Sequence, residues 1–123
     1  MLTKVLVVDD DIRTTELLEL MLSPQGFEIF VANSGSDGIA AAHQLEPDVV
    51  VLDLMMPGVD GWEVCRTIRT FSQVPILVLS AVIDSERVVR ALKQGASDYL
   101  VKPVPPGVII SRLRKLANSF RQV

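Results

Sequence analysis

Val49-Val50-Val51-Leu52-Asp53-Leu54-Met55-Met56-Pro57-Gly58 is the stretch on which the whole chain turns. Four apolar residues in a row read as a strand buried on both faces, the kind found in parallel sheets. An acid follows at once, then a Pro-Gly turn. Asp53 therefore stands where a central strand leaves the core.

On either side, short apolar runs alternate with helical patterns. Residues 4–8 read as a first strand, ending in Asp9-Asp10-Asp11. The Ile12–Leu22 segment reads as a helix with Leu17, Leu18, Met21 and Leu22 as its apolar stripe, stopped by Pro24-Gln25-Gly26. Residues 27–31 read as a second strand, broken by Glu28 and so at an edge. A polar turn over 33–38 leads to an Ala-rich helix over 36–45. After the Val49–Leu52 strand comes a Gly58–Gly61 loop, then a helix over 62–70 with Val64, Cys65 and Ile68 facing in. Residues 76–79 form a wholly apolar fourth strand, and 85–94 a helix capped by Gly95. Asp98–Val101 is a short mixed strand, again at an edge. Lys102-Pro103 ends it, and Val104-Pro105-Pro106-Gly107 is a stiff linker into a last helix. There Ile109, Leu113, Leu116, Ala117 and Phe120 repeat as an inward stripe.

Five strands alternating with five helices give a doubly wound α/β fold with a parallel sheet. The wholly apolar strands one, three and four belong in the centre. The order 2-1-3-4-5 meets that constraint and is one of the two common flavodoxin-like and Rossmann-type arrangements. In 123 residues with 49% apolar content there is room for one domain, 1–123, and a real core. The net charge of −3 gives no general case for nucleic-acid or membrane binding. Arg112, Arg114, Lys115 and Arg121 follow Pro105 with no acid among them, which is poor evidence for a nucleic-acid partner. A single cysteine, Cys65, excludes an internal disulfide, fits a reducing compartment and reads as a buried core thiol. There is no signal-peptide pattern and no apolar run long enough to span a bilayer, so a soluble cytoplasmic protein is expected. The chain stops just after the last helix, which fits either a stand-alone unit or a fragment of a longer regulator.

In a sheet of this order, ligands bind beyond the carboxyl ends of the strands, where the winding reverses, here between strands one and three. Those strands end in Asp9-Asp10 and Asp53. Three carboxylates meeting there repel one another and raise their proton affinities. A divalent cation resolves the conflict, and an all-oxygen site with few carboxylates suits Mg²⁺, with Mn²⁺ as a substitute. Strand four adds the Ser80 hydroxyl and strand five the Lys102 ammonium. A carboxylate, a divalent ion, a lysine and a hydroxyl together suit phosphoryl chemistry with the carboxylate as nucleophile.

Four blocks carry a resemblance: Val7-Val8-Asp9-Asp10-Asp11, Leu52 to Gly61, Val78-Leu79-Ser80-Ala81, and Gly95 to Pro103. In this order and spacing they resemble the receiver domain of two-component response regulators, and the likeness covers essentially the whole chain. The resemblance implies that Asp53 takes a phosphoryl group from a phosphohistidine on a sensor histidine kinase or phosphotransfer protein. It implies Asp10, Asp53 and the Met55 backbone carbonyl as metal ligands, with Asp9 as a partner acid acting through water. Lys102 would hold the phosphoryl group, often before a cis proline. Ser80 would be the switch hydroxyl, Tyr99 the switch aromatic, and Gly58 and Gly61 the loop glycines beside the site. Such a domain is a phosphoacceptor switch rather than a turnover enzyme. The face of helix four, strand five and helix five, with Arg87, Arg90, Lys93, Asp98, Arg112 and Arg114, would then control an output domain, a partner or a homodimer.

Each residue also has a plainer reading. An Asp after a strand is ordinarily a helix N-cap; that reading stands for Asp11, and Asp10 alone is open between cap and ligand. Lys102 alone is a solvated residue, Ser80 alone a turn cap, and Tyr99 alone an edge-strand packing residue. His43 reads as exposed, Trp62 as half-buried at the start of helix three, and Val88, Val89 and Leu92 as core rather than partner face. Val104 stands where receivers often have an aromatic. Met55 and Val82, two residues beyond Asp53 and Ser80, are apolar and cannot position water, so slow autodephosphorylation is expected. A phosphohydrolase with an aspartyl nucleophile would usually carry an acid at position 55. A flavodoxin-like electron carrier would need a hydroxyl- and Gly-rich phosphate loop where Asp9-Asp10-Asp11 stands. No GxGxxG or Walker pattern is present.

Overall fold

The computed structural model describes residues 2–121. The expected domain, 1–123, also takes in Met1, Gln122 and Val123, which lie outside the described residues. Strands β1 (Thr3–Val8), β2 (Phe27–Ala32), β3 (Val49–Leu52), β4 (Ile76–Ser80) and β5 (Asp98–Val101) alternate with helices α1 (Ile12–Leu22), α2 (Gly35–Leu45), α3 (Gly61–Ile68), α4 (Ser85–Lys93) and α5 (Pro106–Arg121). The strands form one sheet in the order β2-β1-β3-β4-β5, with every neighbouring pair parallel. Both the fold class and the order agree with the sequence reading.

Alternation along the strands sorts the core into two layers. Leu6, Val8, Val50, Leu52, Ile76 and Val78 pack with Ala42, Val64, Cys65, Ile68 and Ala91 of α2, α3 and α4. Val5, Val7, Val49, Val51, Leu77 and Leu79 pack with Leu18 and Leu22 of α1 and with Ile109, Leu113 and Ala117 of α5. β1, β3 and β4 are buried on both faces, which explains their unbroken apolar runs. Glu28 and Val101 are exposed on the two edge strands.

Local chemistry sets the helix ends. Asp11, Ser34, Asp60 and Asp84 are N-caps whose side chains accept backbone N–H bonds at the starts of α1 to α4. The Ser34 cap starts α2 at Gly35, one residue before the expected Ser36. Pro106 opens α5 directly, so the linker is shorter than expected; proline suits the first turn because its missing N–H would have no helical partner. Pro24 lies in a 3₁₀ turn, Ser23–Gln25, and Gly26 follows with φ +91°.

Three burial expectations are corrected. Leu17 is exposed, because Thr15, Leu18 and Leu22 make the inward row of α1 and Leu17 lies one residue off it. Val89 and Leu92 are exposed rather than core. Ala91 is the fully buried residue of α4; at about 100° per residue, Leu92 lies one step round from it and Val89 two. Trp62 is 6% exposed rather than half-buried, and its indole N–H donates to the Arg87 carbonyl at 3.1 Å. His43 is exposed, as expected, edge-on to Phe71.

Candidate functional site

The sheet order makes the tips of β1 and β3 neighbours. Val8 pairs with Leu52, and the Asp53 N–H donates to the Val8 carbonyl at 3.0 Å. Each of Asp9, Asp10 and Asp53 offers a carboxylate oxygen, and these oxygens lie within 4.8 Å of one another. On the other side of β3, β4 and β5 pair so that Ser80 meets Val101, and the Lys102 N–H donates to the Ser80 carbonyl at 2.9 Å. The Lys102–Pro103 peptide is cis. The structure thus gathers Asp9, Asp10, Asp53, Ser80 and Lys102 at one edge, as the sequence anticipated.

Every polar group of buried Asp9 is engaged. Its N–H donates to the Ala32 carbonyl at 3.1 Å, and its carbonyl accepts from Asn33 Nδ2 at 2.9 Å. Its Oδ1 accepts from the Asp11 N–H at 2.9 Å, and its Oδ2 from Lys102 Nζ at 3.1 Å. Asp10 is exposed and Asp53 half-buried. Direct cation ligation therefore falls most easily to Asp10 and Asp53. Asp9, with both oxygens occupied, fits a supporting role.

Burial pushes the Asp53 carboxyl above the ordinary aspartate range. The Lys102 ammonium opposes that shift, the Asp9 carboxylate adds to it, and the Ser80 hydroxyl and Met55 N–H oppose it. A half-buried carboxylate beside two others is short of positive charge. The donors are all oxygen, which fits a hard divalent cation such as Mg²⁺ rather than a soft one.

The loop carrying Asp53 is held by close contact. Gly61 N–H donates to the Leu54 carbonyl at 2.9 Å. Gly58 adopts φ +73°, the left-handed region that glycine tolerates. The β4–α4 loop is tied to the site at Val82. Its N–H meets Ser80 Oγ at 3.4 Å, and its carbonyl accepts the Tyr99 hydroxyl at 2.6 Å. Burial raises the Tyr99 phenol above its usual value, so the hydroxyl stays a donor at neutral pH.

The sequence reading missed three participants, Asn33, Thr15 and Gly35, and one role of a fourth, Val82. Asn33 donates to the Asp9 carbonyl, and Thr15 accepts from the same Asn33 amide. Val82 links Ser80 to Tyr99. Gly35 lies where a Cβ would sit 2.1 Å from the Val59 carbonyl oxygen, against the loop that follows Asp53. Asn33 did carry a signal, since it directly follows a strand at the same sheet edge. Thr15 carried a weaker one, a hydroxyl in the inward row of α1. Val82 was marked only as an apolar residue two beyond Ser80, with no sign of its bond to Tyr99, and nothing in the sequence marked Gly35.

A doubly wound parallel sheet with an acidic crevice at its winding reversal defines a class of α/β domains whose site lies beyond the carboxyl ends of the strands. Within that class the chain belongs to the response regulator receiver domain family, whose sequence model matches residues 5–114. It is 43% identical over 111 residues to the DNA-binding response regulator MtrA of Mycobacterium tuberculosis, covering 90% of this chain and 49% of that protein. It is 46% identical over 109 residues to the transcriptional regulatory protein AfsQ1 of Streptomyces coelicolor, covering 89% and 48%. The chain thus spans about half the length of the curated relatives it matches. The Francisella response regulator 1452 receiver domain superposes with TM-score 0.89 at 31% identity, covering 95% of this chain and 98% of that one. The BeF3-activated receiver domain of Klebsiella pneumoniae RstA does so with TM-score 0.89 at 33% identity, covering 94% and 98%.

This is therefore a receiver of two-component signal transduction, a family of phosphoacceptor switches generally dependent on Mg²⁺. Among the described residues no helix is long and apolar enough to cross a membrane.

Proposed function

We propose that Asp53 accepts a phosphoryl group from the phosphohistidine of a sensor kinase or phosphotransfer protein, and that the added charge resets the face formed by α4, β5 and α5. The observation that carries this is the placement of the Asp53 carboxylate beside two further acids and near the Lys102 ammonium, at the tip of a central strand. An Asp53 oxygen attacks phosphorus and forms the P–O bond. The P–N bond breaks, and the imidazole nitrogen keeps the bonding pair and takes up a proton. The product is an acyl phosphate on Asp53.

Asp10, Asp53 and the Met55 carbonyl would hold Mg²⁺, with Asp9 behind them; bound there, the ion neutralises charge on the phosphoryl oxygens. Lys102 Nζ, 30% exposed in its side chain, leaves Asp9 Oδ2 and pairs with a phosphoryl oxygen. The Ser80 hydroxyl turns to donate to another. Val82 follows Ser80 and releases Tyr99, and the packing of α4 changes as a shift between two states. With Met55 and Val82 beside the acyl phosphate, no side chain there holds an attacking water.

Incubation with acetyl phosphate and Mg²⁺, read by intact mass, tests the reading. Wild type gains one phosphoryl group; Asp53→Ala and an EDTA-treated sample gain none. Equal labelling of Asp53→Ala would overturn the assignment. For the slow hydrolysis, Met55→Asn is expected to shorten the phosphoryl lifetime several-fold, and an unchanged lifetime counts against the role given to Met55.

A further inference from the structure

We infer that Asn33, acting with Thr15, is a positioning residue that sets the cation affinity of the acid crevice. The inference rests on the reading of that crevice as a Mg²⁺-dependent phosphoacceptor site.

One amide group spans two elements. Asn33 Nδ2 donates to the Asp9 carbonyl at 2.9 Å and to Thr15 Oγ1 at 3.1 Å. The Thr15 hydroxyl, 1% exposed, spends its own proton on the Ile12 carbonyl at 3.0 Å, so its lone pairs face Asn33. The two ends of the bridge, Asp9 and Thr15, lie on either side of Asp10 and Asp11. The bridge therefore closes the loop that carries the exposed acid. Ala32, just before Asn33, takes the Asp9 N–H, so both backbone groups of Asp9 are held by consecutive residues at the end of β2.

The consequence is electrostatic. Three carboxylates within 4.8 Å repel one another, and the free loop would relieve that by splaying Asp10 outward. Asn33 and Thr15 prevent this by fixing the loop at both ends. A cation then meets donors already in place and need not order them on binding. β2 is the edge strand beside β1, so no further strand on that side can substitute for the bridge. Groups that orient ligands from behind typically change metal affinity by about 10–100-fold when removed.

The test is calorimetric titration of MgCl₂ into wild type, Asn33→Ala, Thr15→Val and Thr15→Ser, at a temperature where circular dichroism shows each folded. Asn33→Ala and Thr15→Val are expected to bind Mg²⁺ about 10-fold or more weakly. Thr15→Ser, which keeps the hydroxyl, should bind as wild type does. A corner residue of purely structural role would lower Tm and leave Mg²⁺ affinity unchanged; that result overturns the inference. Should Asn33→Ala not fold, the contrast between Thr15→Val and Thr15→Ser decides alone. A wild-type titration without binding removes the metal reading itself, and the inference with it. A wild-type isotherm matched by both variants removes the inference only.

Discussion

A methyl group on Gly61 would sit 2.4 Å from the Asp53 carbonyl oxygen and 2.5 Å from Leu54 Cα. Here α3 begins directly against the loop that follows Asp53, so a side chain at Gly61 meets backbone. Gly61→Ala should cost about 1–3 kcal/mol, the usual range for overpacking, and should slow labelling of Asp53 by acetyl phosphate. Stability and labelling rate equal to wild type would show that the contact yields. Cys65 illustrates the opposite condition, a reactive group with no access. Burial pushes its thiol up to about 12, so thiolate is scarce at pH 8. Native protein should resist Ellman's reagent at that pH and react on unfolding in guanidinium; rapid native labelling would contradict its burial.

Arg69 shows how elements are joined by polar contacts at the edge of the core. It follows α3, and its guanidinium donates to the carbonyls of Gly95, Ser72 and Val74 at 2.7–3.1 Å. Gly95 has φ +115°, and a Cβ there would lie 2.6 Å from the Arg69 side chain. The fork thus ties the end of α3 to the turn between α4 and β5. Arg69→Lys keeps the charge but cannot bridge three carbonyls at once. A loss of about 1–3 kcal/mol in urea unfolding is expected for the lysine variant, with little effect on Mg²⁺ binding. At this scale the sequence was most legible in the strands: β3 and β5 have the read bounds. It was least legible in α4, where Val88, Val89 and Leu92 look alike as letters but Val89 and Leu92 face solvent. Helical period alone does not say which side of a helix meets the sheet when that side is one alanine wide.

Charge governs the molecule as a whole. Asp53 has a raised carboxyl pKa, so its effect favours the folded state at low pH and is lost as pH rises through the folded-state value. Neutralising it should therefore stabilise the protein most at neutral pH. Asp53→Asn is expected to raise Tm at pH 7 without divalent ions, and the gain should shrink toward pH 4. A larger gain at pH 4 would reverse the sign of the effect. Mg²⁺ at about 100-fold over its dissociation constant should add about 2.7 kcal/mol to wild type by linkage, and less to Asp53→Asn. The α4–β5–α5 face exposes Val89, Leu92 and Val101 beside Arg87, Arg90 and Lys93, with Asp98 paired to Arg112. It is the proposed partner or homodimer surface. Light scattering before and after acetyl phosphate tests the dimer, and an unchanged mass removes it.

By itself the sequence determined the alternation of strands and helices, the central strands and the acids at their ends, because these follow from periodicity and turn chemistry within a few residues. Ser80 and Lys102 were also marked by their places at the ends of the fourth and fifth strands. Only the tertiary structure decided that Asp9 has no free polar group, that Asn33 reaches back to Thr15, that Val82 joins Ser80 to Tyr99, and that Leu17, Val89 and Leu92 face outward. Those outcomes depend on which elements pack together and how each helix is rotated. Such choices are settled by contacts between residues distant in the chain, which no local pattern encodes.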